Sequence, residues 1–302
     1  MIPETMKAAV VDNAGPPDAI HIASMPVPRL TRDHVILALD YASVGIWDAQ
    51  QRSGAWGPVK PGTILGADGS GTVVAVAPDV TRLHVGDRVY SYSYGNKHGG
   101  FYAEYVSVPA DRVERVPDQL DQKIAGAMPC VAITANAGLH VLKTKRGETL
   151  LVFGATGGVG SFAVWLAAHA IGATVFGTAR PDAQGYLRDL GGTPISEDTS
   201  QAFDAMLATA SGSDLAVVAS RLRPHAPIAF PNGVEPEPKV DGHPSKPFDG
   251  EMQREAFERL NKAIGTQTIP LKTEEFSLDH VVDAHRRIEQ GHVEGKIVLR
   301  IR

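Results

Sequence analysis

Apolar positions along this chain follow two different rhythms. In residues 1 to about 120 they come as short runs, at 7–11, 34–40, 71–77, 87–90 and 103–108. Each run has the length of a strand, and turn signals at 13–17, 61–62, 85–87 and 109–111 separate them. Several short strands closed by turns predict a small β-barrel. From Pro117 the spacing becomes helical, with apolar stretches at 124–128 and 131–142 divided by Pro129. Residues 150–153 then form a continuous apolar run, as a strand buried on both faces of a parallel sheet requires. A glycine-dense turn, a helix and a second strand at 173–177 follow.

The alternation continues downstream. Residues 184–190 predict a helix stopped by Gly191 and Gly192, 214–222 a helix and 227–230 a strand. Periodicity leaves 203–209 open between strand and helix, and its place in a βα series favours strand. The Pro/Gly-rich stretch 231–250 predicts a surface loop. A helix at 251–264 carries Phe257, Leu260 and Ile264 on one face. Ser277 caps a last helix that runs to Gln290 and Gly291, and 296–301 is a closing strand. A strand after a helical domain suggests a return to the first domain. The expected organisation is α/β in two domains, with 1–120 and 266–302 in one and 121–265 in the other, and a ligand cleft between them.

Composition narrows the function. A chain of 302 residues, 43% hydrophobic and 21% charged, is long enough for two cores. Its net charge of -5 and lack of a basic run argue against a nucleic-acid partner. The single cysteine excludes an internal disulfide and any multi-cysteine zinc site. Apolar stretches are too short to span a membrane, and the N-terminus lacks a signal peptide's apolar run. A soluble, cytoplasmic protein without a membrane partner is expected.

The candidate chemistry sits in the turn after residue 153. Ala155-Thr156-Gly157-Gly158-Val159-Gly160 is a dinucleotide fingerprint with alanine at its first glycine, placed after a strand and before a helix. Gly157 lets main chain approach a pyrophosphate, Gly160 lets the helix pack tightly on the strand, and the helix-start amides face the phosphate charge. The same turn also fits plain close packing. The second strand ends Gly177-Thr178-Ala179-Arg180, without the acid that holds both ribose hydroxyls of NAD. Thr178 can hydrogen-bond a 2'-phosphate and Arg180 can pair with it, which predicts NADPH. Asp182 leaves open that Arg180 is a solvated surface residue.

Six segments together resemble the zinc-free, quinone oxidoreductase-like branch of the medium-chain dehydrogenase/reductase superfamily. They are 66–74, 85–89, 100–105, Pro129 with Thr134 and Ala135, 154–160, and 291–299 with Lys296. The resemblance implies a GroES-like β-barrel catalytic domain and a Rossmann doubly wound parallel-sheet domain. It also implies NADPH-linked reduction of a small quinone or α,β-unsaturated carbonyl by a homodimer. Thr134 and Lys296 join the turn residues as its cofactor contacts. Zinc-bearing relatives carry Cys, His and Cys where this chain has Gly45, Ala67 and Cys130, so no metal is expected.

On the substrate side the resemblance points to 43–56, where Asp48, Arg52, Ser53 and Gly54 match the pattern. Gly45 replaces a common Asn, and Gln50 and Trp56 replace two tyrosines. Trp56 would offer a planar acceptor a flat apolar platform. On the cofactor side Gln184 and Glu197 stand where relatives often have Lys and Tyr. Tyr90, Tyr92 and Tyr94 share one strand face. They form either a core stripe or a run that brings Tyr94 to the site as a proton donor. Cys130 is either a cleft-wall thiol or an inert buried one, and His98 alone among the histidines lies on a loop that could border the site. Two other functions stay open: reduction of trans-2-enoyl thioesters, and an NADPH-binding sensor or structural module without catalysis.

Overall fold

The computed structural model describes residues 2–97, 99–196 and 200–302. The expectations for His98 and Glu197 lie outside the described residues. In chain order the strands are β1 (Thr5–Val11), β2 (Ile20–Pro26), β3 (His34–Val44), β4 (Thr63–Ile64), β5 (Asp68–Val76), β6 (Arg88–Tyr92), β7 (Tyr105–Pro109) and β8 (Val113–Arg115). They continue with β9 (Thr149–Phe153), β10 (Thr174–Gly177), β11 (Gly192–Pro194), β12 (Ala205–Ala208), β13 (Ile228–Pro231), β14 (Ser245–Phe248), β15 (Thr273–Ser277) and β16 (Lys296–Arg300). The helices are α1 (Ile46–Ser53), α2 (Gln122–Ala127), α3 (Pro129–Leu142), α4 (Gly158–Trp165), α5 (Gln184–Asp189), α6 (Leu215–Ala219), α7 (Arg254–Ile264) and α8 (Val281–Glu289).

Two compact units share the chain. The first holds Met1–Cys130, Met252–Glu258 and Lys272–Arg302, the second Val131–Glu251 and Arg259–Leu271. In the first, a three-stranded sheet β2-β1-β4 accompanies a larger sheet in the order β15-β16-β3-β5-β6-β8, with β7 on β3. The chain's last strand, β16, pairs antiparallel with β3, Ile297 opposite Val44 and Leu299 opposite Ala42. Leu37, Leu39, Val89, Phe101, Tyr102, Val106, Ile297 and Leu299 belong to the core that results. Helix α2 belongs here too, because Ser70 Oγ donates to the Gln122 carbonyl at 2.7 Å and Asp121 caps the helix by accepting from the Lys123 and Ile124 amides.

The second unit is a six-stranded parallel sheet in the order β11-β10-β9-β12-β13-β14. Its central strand β9 is the continuous apolar run of the sequence, and Leu150, Leu151 and Val152 are buried. A GroES-like unit and a doubly wound parallel-sheet unit are thus the expected fold. The stretch 231–250 corrects one expectation, for it is not all surface loop. Its last part is the outer strand β14, where Phe248 is buried and packs toward Gly138 and Leu207. Its prolines disguise it, and an edge strand tolerates proline.

Candidate active site

The first unit concentrates its buried polar groups around α1. The helix starts from Gly45, whose amide donates to Asp48 Oδ2 at 2.8 Å. The same oxygen accepts from the Tyr102 hydroxyl at 3.1 Å. One turn later Arg52 lies on the same helix face, 1% exposed, and pairs with Glu289 of α8. His285 of α8 is buried edge-on to the Tyr102 ring, centroids 5.7 Å apart. Beyond α1, Trp56 is 51% exposed and meets the Tyr94 ring edge-to-face at 5.5 Å.

A second acidic group, Asp68 at the start of β5, lies beside the end of β3. Ser43 Oγ donates to Asp68 Oδ1, and the Cys130 amide donates to Asp68 Oδ2 at 2.9 Å. Lys296 is buried near both carboxylates. Its Nζ donates to the Val44 carbonyl at 3.0 Å and lies 4.8 Å from the Trp47 ring centroid, a cation–π contact. The indole of Trp47 folds over Gly45, where an added Cβ would fall 2.2 Å from Cε2.

Burial dominates the proton affinities. It raises the Asp48 carboxyl to about 7; the Gly45 amide, Lys296 and Tyr102 oppose the rise, and Asp68 adds to it. Burial also raises Asp68, against Lys296, Ser43 and the Cys130 amide. The Tyr94 phenol is raised by burial and then by the charge of Asp48. His285 moves the other way, down to about 3, through burial and then Arg52. The Cys130 thiol is pushed far up by burial and next by Asp68, so it stays protonated.

The second unit holds the fingerprint turn. Gly154 takes a left-handed backbone (φ +80°), and its amide donates to Thr178 Oγ1 at 2.8 Å, tying the turn to the end of β10. A Cβ at Gly160 would lie 2.1 Å from the Gly154 carbonyl oxygen. At Gly157, the N-cap of α4, a Cβ would meet only that oxygen, at 3.6 Å. Packing therefore demands glycine at 160, whereas at 157 it leaves open space. The first helical bond runs from the Ser161 amide to Gly157, leaving the amides of Gly158, Val159 and Gly160 as donors without an intrahelical acceptor. This cradle fits a dinucleotide pyrophosphate.

The structure groups some sequence candidates and separates others. Gly45, Asp48, Trp56 and Tyr94 come together in the first unit. Cys130 is there as well, but its main-chain amide, not its thiol, makes the polar contact with Asp68. Lys296 belongs to this group, held on Val44 and Trp47. Ala155, Thr156, Gly157, Gly158, Val159 and Gly160 follow one another through the turn into α4 in the second unit, and Thr178 is tied to that turn through the Gly154 amide. Arg180 is half-exposed, 3.5 Å from Asp182. Thr134 is buried, and its hydroxyl lies 2.7 Å from where a Cβ at Gly250 would be. Tyr90 packs on Phe257 as core, and β6 ends before Tyr94, which breaks the expected tyrosine stripe. Asp68 and Tyr102 are not singled out by the sequence, and His285, which the sequence reads as a solvated histidine, is buried instead because α8 turns it into the packed interior; the four-residue spacing of Asp48 and Arg52 is a local signal of a shared helix face.

Zinc does not fit this donor set. Gly45 and Ala67 offer no ligand atom, Trp47 fills the space a side chain at 45 would take, and burial opposes the Cys130 thiolate. Among the described residues no three His, Cys, Asp or Glu side chains are grouped to hold a metal ion.

Comparison with known proteins places the chain. The alcohol dehydrogenase GroES-like domain family matches residues 31–118, and the zinc-binding dehydrogenase family matches 193–299. The chain is 28% identical to a 2-methylene-furan-3-one reductase of Solanum lycopersicum over 99% of its length and 80% of the relative's. It is equally similar, over the same shares, to a chloroplastic NADPH-dependent alkenal/one oxidoreductase of Arabidopsis thaliana. The solved quinone oxidoreductase of Coxiella burnetii superposes with a TM-score of 0.87 at 26% identity, covering 99% of this chain and 100% of that one. With this fold, this turn and these relatives, the chain is an oxidoreductase that belongs to the quinone oxidoreductase-like branch of the medium-chain dehydrogenase/reductase superfamily.

Proposed function

We propose that the chain is a zinc-independent, NADPH-dependent reductase that delivers hydride to a quinone or to the β-carbon of an α,β-unsaturated carbonyl. The observation that carries this reading is the Trp47 ring lying where a first metal ligand at residue 45 would need room. Without a Lewis acid to hold an alkoxide, a site of this kind suits acceptors that are already electrophilic. NADPH, when bound, supplies the hydride. Thr156 and the amides of Gly158 to Gly160 would hold its pyrophosphate, and Thr134 would help hold it. Thr178 and Arg180 would hold the 2'-phosphate, with no acid at the end of β10 to repel it.

On the acceptor side, Trp56 supplies an apolar platform buttressed by Tyr94. Tyr94 keeps its phenolic proton at neutral pH and is the proposed donor to the reduced acceptor. Asp48, whose charge Tyr94 senses, holds a proton near neutrality and would restore the phenol. Among the described residues no helix is long and apolar enough to cross a membrane. A cytoplasmic homodimer acting on small molecules completes the reading. The reductase and oxidoreductase names of its relatives favour catalysis over a sensor role.

The test is direct. Purified protein mixed with NADPH and a panel of quinones and enones should oxidise the cofactor with at least one acceptor. Metal analysis of the active preparation should find no stoichiometric zinc. Cofactor binding without oxidation on every acceptor, or activity that follows zinc content, would reject the proposal.

A further inference from the structure

Helices α1 and α8 pack on one another, and each turns two polar side chains spaced i and i+4 into the contact. Asp48 and Arg52 come from α1, His285 and Glu289 from α8. Asp48, Arg52 and His285 are almost wholly buried. Part of their hydrogen-bonding capacity is used: Asp48 Oδ2 accepts from Gly45 and Tyr102, and Arg52 Nη2 donates to Glu289. Asp48 Oδ1, Arg52 Nε and Nη1, and both ring nitrogens of His285 have no partner among the described residues.

Buried orphans are rare singly, and five in one seam call for a common cause. Their characters are complementary. Guanidinium nitrogens only donate, a carboxylate oxygen accepts, and a neutral imidazole offers one donor and one acceptor. Groups that could bond one another yet do not are what enclosed water leaves in a protein, since one molecule can serve up to four of them. The charged and titratable groups around the seam are Lys296, Asp68 and Tyr102 near Asp48, Arg52 beside His285, and Glu289 at the outer end.

We propose that the α1–α8 seam is a built water site, in which ordered water accepts from Arg52 and bridges His285 to Asp48 Oδ1, and that this water returns a proton to Asp48 in each turnover. The second part rests on the reductase reading above. Reduction adds one hydride and one proton to the acceptor. The proton given up by Tyr94 is replaced from Asp48, and Asp48 regains one from the seam water. His285 releases a proton to that water from one ring nitrogen as it takes one at the other, drawn from solvent at the Glu289 end. Glu289 is 38% exposed and forms the entry. Arg52 holds the water without titrating, so Arg52 and His285 act as positioning residues.

Diffraction from crystals of the protein, at a resolution that shows ordered water, should find water bonded to Arg52 Nε or Nη1 and to His285. A dry seam, or direct bonds among these side chains, would overturn the water site and the relay with it. Kinetics test the relay separately. His285→Gln keeps one donor and one acceptor but cannot pass a proton. Its single-turnover oxidation of NADPH should stay within about twofold of wild type, while steady-state kcat falls about tenfold and the solvent deuterium isotope effect on kcat rises. Arg52→Lys, which keeps the charge but loses the fork, should do the same more weakly. Equal losses in both regimes, or an unchanged isotope effect, would overturn the relay. A wild-type protein that turns over no quinone or enone would remove the relay together with the reductase reading, and the diffraction result would still decide the water.

Discussion

Trp47 and Gly45 exclude any side chain from each other's space: the indole carbons lie 2.2–2.6 Å from the point a Cβ at residue 45 would occupy. Gly45→Ala should therefore cost about 1–3 kcal/mol in urea unfolding, as overpacking does. In a Trp47→Ala background the same Gly45→Ala change should cost much less than it does in the wild type, because the clash is gone. Additive losses in the double variant would show that the glycine serves some other need.

Gly157 and Gly160 separate folding from binding. Gly160→Ala pushes a methyl group into the Gly154 carbonyl and should destabilise the protein by about 1–3 kcal/mol. Gly157→Ala meets no obstacle in the protein, so its melting temperature should stay within a degree or two of wild type. Calorimetry should nevertheless show that Gly157→Ala binds NADPH at least about tenfold more weakly, because the methyl group occupies the pyrophosphate's approach. Unchanged binding in Gly157→Ala would reject the cradle.

Arg180 is the cation proposed to distinguish the two nicotinamide cofactors. Arg180→Ala should weaken NADPH binding by about 1.5–3 kcal/mol and leave NADH nearly unchanged. Equal losses for both cofactors in titration calorimetry would mean that Arg180 serves Asp182 and the surface instead.

Asp48 and His285 give stability opposite pH dependences. The Asp48 carboxyl ionises at about 7 when folded and near 3.8 when unfolded, so the native state binds more protons in that window and stability falls as pH rises through it. The unfolded imidazole of His285 takes its proton near 6.5 and the folded one near 3, so stability falls as pH drops through that window. Relative to wild type, Asp48→Asn should gain stability between about pH 4 and 7 as pH increases, and His285→Gln should gain as pH decreases from about 6.5. Urea midpoints measured across pH 4 to 8 would show the two difference curves with opposite slopes. Parallel curves would contradict the burial of one group or the other.

Local pattern carried the fold into the sequence. The unbroken run at 150–153 signalled a doubly covered parallel strand, and the glycines after it signalled a tight turn into a helix. Strand β14 was hidden because Pro244 and Pro247 look like loop punctuation when pairing is unknown. The candidate site was legible only where one segment carries it. Asp48 and Arg52 lie on one helix, but His285 and Glu289 meet them from more than 230 residues away. Burial of that kind is a property of packing between distant segments, and no window of sequence reports it. Cys130 shows the converse: its residue type draws attention to the thiol, whereas its bond to Asp68 is made by the main-chain amide.

The amides of Ile228 and Asn232 bond to the carbonyls of Pro244 and Phe248 across the outermost pair of the parallel sheet. This alternation turns the nitrogens of Lys246 and Phe248 inward and those of Ser245 and Pro247 toward the open margin. The one nitrogen that proline strips of its hydrogen is thus on the outside, so the ladder offered to an arriving strand has a missing rung. Runaway stacking of exposed edges is thereby discouraged by covalent structure alone, and any lawful pairing along that margin must be in a register that tolerates the gap.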